Sequence, residues 1–174
     1  MAVRQVFDRA RRIQFRILKQ KEFRMTRTQT AALKIAAVLW VIWGLVHMLA
    51  GVMTILQAPS EGFAAIADAV DPALLVADYH PAVGGVLNQH GFNLLWIGLA
   101  TIVGAVFIWR RNLNAIWMTA VVGGLADVGY LLFVDLPGYV NFFPGTLMTL
   151  ISASAILFSF PVLLSNRRNF TAHS

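Results

Sequence analysis

The sequence predicts an all-α integral membrane protein: a four-transmembrane-helix bundle with an N-terminal amphipathic interfacial helix and a long, partly helical outer loop. Three observations predict it. The 174-residue chain is 58% hydrophobic and only 13% charged, against about 25% charged residues in an ordinary soluble domain. A soluble protein this short leaves much of its area in water and could not conceal so much apolar surface. Four apolar runs each approach or exceed the roughly 20 residues needed to cross about 30 Å of hydrocarbon. Finally, the basic residues fall only in alternate intervals between those runs.

Residues 1–30 are basic and moderately apolar. Val3, Val6, Phe7, Ala10, Ile13 and Ile17 recur at helical spacing with arginines between them. This predicts an amphipathic helix on the inner membrane surface, with Arg9, Arg11, Arg12 and Arg16 on anionic lipid headgroups. The plainer alternative is a solvated basic tail that only sets topology. Asp8 and Glu22 argue against a mitochondrial transit peptide, and the basic stretch is too long for a secretory n-region.

The membrane domain is expected over residues 31–166, with spans at 35–55, 92–109, 113–134 and 143–164. The first contains one ionisable residue, His47, and the third contains Asp127. Of 14 Lys and Arg, ten lie at or before Lys34; the others are the pairs Arg110-Arg111 and Arg167-Arg168. The outer loop, 57–91, instead carries Glu61, Asp68, Asp71 and Asp78, and the loop after the third span begins with Asp135. Four spans place all three positive segments on one side; any odd number would not. The expected location is therefore the bacterial inner membrane, multi-pass, with the N-terminus and the tail 167–174 in the cytoplasm. Arg110 and Arg111 join the lipid-headgroup contacts. The net charge of +6 then reads as a topology signal, so the partners are the bilayer, its anionic headgroups on the cytoplasmic side, and a membrane protein or second copy, with no nucleic acid. The sequon at Asn169 faces the cytoplasm on this topology and is discounted.

Within the outer loop, Ser60 is placed as N-cap of a short helix carrying Phe63, Ile66 and Val70. The loop is expected to fold over the outer mouth of the bundle or to rest on the headgroups.

Ionisable residues inside a span are costly in hydrocarbon and usually face the protein interior with a partner. Counted from the outer ends of their spans at about 1.5 Å per residue, His47 lies roughly 12 Å deep and Asp127 roughly 10 Å deep. A His47–Asp127 contact, direct or through water, is expected. Stripes of small and hydroxylated residues are expected to face the interior: Gly44, His47 and Gly51; Asn93, Ile97, Ala100 and Gly104; Ala120, Gly123, Asp127 and Tyr130; Gly145, Thr149, Ser152, Ile156 and Ser159. They place Asn93, Tyr130, Thr149 and Ser152 beside His47 and Asp127 in a polar pocket. The alternative is interhelical glue without function. A complete ion or proton path is disfavoured, because the inner half offers little beyond Thr119 and Ser159.

The chain has no cysteine, which excludes disulfides, thiolate catalysis, Cys-based zinc sites and Cys-anchored haem. His47, His80 and His90 all belong to the outer half, with His80 and His90 at its mouth. Two of them could ligate haem and three a zinc or copper ion, but no pair sits one helical turn apart, so no metal or cofactor is favoured. Trp109 and Trp117 suit the inner interface and Trp96 the outer; Trp40 and Trp43 are expected to pack against lipid or neighbouring helices. No phosphate-binding loop, nucleophile elbow or HExxH motif is present. In size and topology the chain resembles small bacterial four-helix membrane proteins such as the DoxX-like group, and no motif extends that likeness to function.

The expected function is that of a non-enzymatic protein that binds a small ligand, or serves as an accessory subunit, through a polar pocket in the outer half. One alternative is a small membrane enzyme or haem or metal redox subunit using His47 and Asp127. Another is a purely structural assembly subunit.

Overall fold

The computed structural model describes residues 25–171 except 72, 74, 75 and 77, with side chains described as far as 166. The expected interfacial helix with Arg9, Arg11, Arg12 and Arg16 lies outside the described residues, as do the side chains of Arg167 and Arg168. The chain divides into two units, Met1–Thr30 and Ala31–Ser174.

The described part of the first unit is a helix start. Thr26 Oγ1 accepts from the Gln29 backbone N–H at 3.1 Å, and Gln29 Oε1 accepts from the Thr26 N–H at 3.0 Å. This reciprocal capping box satisfies two backbone donors and starts α1, Arg27–Leu56.

The second unit continues α1 and adds α2, Pro59–Ala64, α3, Pro81–Trp109, α4, Leu113–Tyr130, and α5, Leu147–Thr171. Helix α4 runs on through a π-helical turn, Leu131–Asp135, and a second π-type turn, Phe142–Thr146, precedes α5. No strand is present among the described residues. Four helices are long and apolar enough to cross a membrane: Arg27–Leu56, Pro81–Trp109, Leu113–Asp135 and Phe142–Asn166.

Two elements start elsewhere than expected. Helix α3 begins at Pro81, not Phe92, so the loop expected over 57–91 ends at His80. Pro81 occupies the first helical position, where its missing N–H costs nothing, and His80 Nδ1 accepts from the Ala82 N–H at 3.2 Å. These signals outweigh the helix-weakening Gly84 and Gly85. Helix α2 is capped at Ala58 rather than Ser60, because Pro59 again takes the first turn.

Both tight helix ends are Schellman motifs. Arg111 has φ +65°; its N–H donates to Ile108 O at 2.8 Å and that of Asn112 to Phe107 O at 2.9 Å. Gly138, at φ +83°, follows the same scheme: its N–H donates to Asp135 O at 2.9 Å and that of Tyr139 to Val134 O at 3.0 Å. Each motif pairs two carbonyls that the helix end leaves open.

Polar side chains enter the interior and large apolar ones line the surface. Thr54, Thr101, Thr119, Asp127, Ser152 and Ser159 are buried, while Ile35, Leu45, Leu49, Leu99, Leu125 and Leu157 are exposed. That pattern suits a lipid surrounding, where small residues and interhelical hydrogen bonds, rather than burial of apolar area, hold helices together. Helices α1 and α3 pack through a seven-residue repeat of small residues. Gly44 faces Gly98, and Gly51 faces Gly91; a Cβ on Gly44 would come within 2.6 Å of Gly98 O, and one on Gly98 within 2.5 Å of Gly44 O. Ala37 and Ala105 continue the repeat on their own helices and are likewise buried.

The interior stripe of α3 therefore differs from the one expected. Gly91, Gly98, Thr101, Ala105 and Ile108 are buried, whereas Asn93, Ile97 and Ala100 are only half-buried. Gly104 turns instead toward Thr119 of α4. The expected stripes on α1, α4 and α5 hold at Gly44 and Gly51, at Gly123 and Asp127, and at Ser152 and Ser159.

The loop after α1 and the loop between α4 and α5 are tied to each other. The Ala69 N–H donates to Tyr139 O at 3.0 Å, and the Asn141 N–H donates to Asp68 Oδ1 at 2.7 Å. The Asn141 side-chain amide donates to Asp68 O at 3.2 Å. Tyr130, near the end of α4, reaches Ile66 O at 3.4 Å. The loop after α1 thus lies across the ends of the long helices opposite the Arg110-Arg111 turn.

Candidate functional site

Helix α1 places Trp40, Trp43 and His47 at i, i+3 and i+7, which puts them on one face. The face can approach α4 because Gly123 has no side chain there: a Cβ at Gly123 would come within 2.5 Å of Trp40 Cζ3. Trp40 and Trp43 meet edge to face, with ring centroids 5.7 Å apart and planes at 79°. Trp43 stacks on the His47 imidazole at 3.5 Å and 19°.

Asp127 of α4 is 3% exposed. Its Oδ2 accepts from Trp43 Nε1 at 2.8 Å, and its Oδ1 lies 3.8 Å from His47 Nε2. The buried Ser152 hydroxyl of α5 lies beside the same carboxylate and also reaches Thr149 O at 3.1 Å. Three helices thus converge on one carboxylate.

The imidazole has a defined tautomer. His47 Nδ1 lies 2.8 Å from Trp43 O, and a carbonyl oxygen only accepts, so Nδ1 carries a hydrogen. Nε2 therefore faces Asp127 Oδ1 either bare or as part of an imidazolium. At 3.8 Å the two atoms are within ion-pair range but beyond hydrogen-bond range.

The expected His47–Asp127 contact is therefore present, and Ser152 joins it. The other candidates do not hydrogen-bond to this carboxylate. Asn93 accepts from Trp96 Nε1 at 3.1 Å, so its carbonyl serves an exposed tryptophan of its own helix. Tyr130 points to the loop carbonyl of Ile66. Thr149 lies one turn of α5 from Ser152, and its Oγ1 is buried without a hydrogen-bond partner. His90 is near enough to His47 for their charges to interact. His80, engaged as the α3 N-cap, is ten residues from His90, about 15 Å along the helix axis, so the three histidines do not converge on one ion. Among the described residues no group of three or more His, Cys, Asp or Glu is arranged to hold a metal. Arg110 and Arg111 are exposed at the α3–α4 turn.

Trp43 is the site residue the sequence reading missed. It was expected to pack against lipid or helices, yet it is fully buried and donates to Asp127. Its spacing of four from His47 was the available signal: two residues one turn apart face the same partner, and a buried indole N–H needs an acceptor.

Comparison with protein-family models, with curated proteins and with solved structures finds no match to this chain. What fold and site define is a class: an all-helical protein with four helices long and apolar enough to cross a membrane, with a carboxylate enclosed among three of them.

Proposed function

We propose that the chain is a multi-pass protein of the bacterial inner membrane, a four-helix bundle with both termini in the cytoplasm. In this reading it binds a small polar or amphipathic ligand through the polar site around Asp127 in its outer half, without catalysing a reaction. The observation that carries the proposal is the state of the Asp127 carboxylate. It is 3% exposed, and it faces, at 3.8 Å, a histidine nitrogen whose ring partner is committed to Trp43 O. An ionisable group at such depth, without Lys or Arg to neutralise it among the described residues, marks a site of function in a membrane protein by default.

Further support comes from the loop end of the helices. Gln57 Oε1, Asp135 Oδ2 and Thr149 Oγ1 are buried without hydrogen-bond partners. Such atoms are rare and call for a water, ion or ligand. The loop contacts of Asp68 with Asn141 and of Tyr130 with Ile66 provide a cover that a ligand entering from outside would displace.

Thermal unfolding of the purified full-length protein tests this, run against small amphipathic amines, alcohols and carboxylates. At least one class should raise the unfolding midpoint, and the rise should vanish in Asp127→Asn and His47→Gln. A panel in which no compound gives an Asp127-dependent rise would leave the structural-subunit reading standing instead.

A further inference from the structure

Away from Asp127, at the Arg110-Arg111 end, α1 and α3 form a second feature. Ala37, Val38, Val41 and Ile42 of α1 and Ala105, Val106, Trp109 and Arg110 of α3 line a groove of about 550 Å³, within the roughly 300–1,000 Å³ of small-molecule clefts. Its origin is the small-residue repeat: Ala37 and Ala105 bring the helices close, and the larger Val38, Ile42, Val106 and Trp109 stand up on either side. These four are exposed rather than covered by another helix, at 49%, 42%, 44% and 47% respectively.

The groove is apolar along its length and cationic at one end only. Arg110 lines that end, and Lys34 Nζ lies 5.0 Å above the centre of the Trp109 ring, a cation–π distance that fixes the ammonium at the groove mouth. From Lys34 to Ile42 is eight residues, about 12 Å of helix, close to the depth of one leaflet of a roughly 30 Å hydrocarbon core. A headgroup anion at one end and an acyl chain along the rest match this charge and length.

We propose that this groove is a binding site for one anionic phospholipid of the cytoplasmic leaflet. Its phosphate lies between Lys34 and Arg110, and an acyl chain lies along Val38, Val41 and Val106. Trp109 sits at the level of the ester region, where aromatic rings favour the boundary between water and hydrocarbon. The proposal rests on the membrane reading and is independent of the Asp127 site.

Native mass spectrometry of the full-length protein released from nanodiscs of equal phosphatidylglycerol and phosphatidylcholine tests it. Wild type should retain phosphatidylglycerol in preference to phosphatidylcholine. Lys34→Gln and Arg110→Gln should each reduce that preference about fivefold, the effect of removing one cation at an anionic surface. Arg111→Gln removes a headgroup contact one residue outside the groove lining and should reduce the preference less than Arg110→Gln does. Val38→Trp should fill the groove and reduce retention of both lipids. Inorganic phosphate should not displace the retained lipid, having no acyl chain. Equal retention of the two lipids, equal effects of Arg110→Gln and Arg111→Gln, unchanged retention in Val38→Trp, or displacement by phosphate alone would each overturn the proposal. Alkaline-carbonate washing of membranes checks the membrane reading separately: protein released by the wash defeats that reading, not the groove assignment alone.

Discussion

Trp43 Nε1 donates to Asp127 Oδ2 across 2.8 Å, joining two fully or nearly buried residues of α1 and α4. Hydrogen bonds to an ionised group contribute about 1.5–3 kcal/mol, and a buried carboxylate left short of a donor loses at least that. Trp43→Phe keeps an aromatic ring against His47 and removes the N–H together with the rest of the five-membered ring. It should destabilise the protein by at least about 2 kcal/mol, the lost hydrogen bond plus the cavity left behind. The loss should shrink when Asp127 is already Asn, because the two residues form one interaction. A double-mutant cycle by denaturant unfolding in detergent checks this, and additive effects would mean that the indole N–H does not hold the carboxylate.

The α1–α3 contact gives a second expectation. A Cβ on Gly98 meets backbone, Gly44 O at 2.5 Å, whereas one on Gly85 meets nothing within 4 Å. Both are glycines of the same helix, so intrinsic helix propensity favours alanine equally at each, by about 1 kcal/mol. Only the packing differs. Gly85→Ala should therefore stabilise by about 0.5–1 kcal/mol, and Gly98→Ala should destabilise by about 1–3 kcal/mol, the typical cost of overpacking. Thermal unfolding of the two variants decides it, and a shared sign would contradict the tight contact.

The four long helices were legible because hydrophobic run length and charge placement are properties of the chain that packing does not alter. His47 and Asp127 were legible as partners for the same reason: buried charge at matching depth needs a partner, whatever the side-chain details. The start of α3 was not. Pro81 and the His80 cap act locally, while Gly84, Gly85 and the polar run Asn88-Gln89-His90 dilute the hydropathy that marked the other helices. The α3 interior face was misread for a related reason. On a helix apolar all round, periodicity carries little direction, and the rotation is fixed by which glycines meet, Gly44 with Gly98 and Gly51 with Gly91. The polar pocket was drawn too wide because Asn93 accepts from Trp96 within its own helix and Tyr130 donates to Ile66 O in the loop.

The two Schellman ends predict opposite responses. Arg111 holds φ +65° with a side chain, and Gly138 holds φ +83° without one. A Cβ in this left-handed region costs roughly 1–2 kcal/mol. Arg111→Gly should accordingly gain about 1 kcal/mol of stability and Gly138→Ala should lose a similar amount. Since no atom lies within 4 Å of a Cβ built at Gly138, backbone conformation alone carries the second effect. Unfolding midpoints of both variants provide the check, and a neutral Gly138→Ala would mean that this turn relaxes to another conformation.

The orientation can be read by reporters. Arg110 and Arg111 sit in a three-residue turn between α3 and α4, which leaves no room for that turn to lie on the side opposite its charge without inverting both helices. The loop after α1 carries Glu61, Asp68, Asp71 and Asp78 and no Lys or Arg. Fusions of a compartment-sensitive reporter after Asn112 and after Ser174 should both report the cytoplasm, and one inserted between residues 62 and 77 should report the far side. If Arg110 and Arg111 are what hold the turn inside, replacing both with Glu should raise the fraction of molecules in which the Asn112 fusion reports the far side. A cytoplasmic signal from the 62–77 insertion in the wild-type chain would invert the orientation and move the Asp127 site to the inner leaflet.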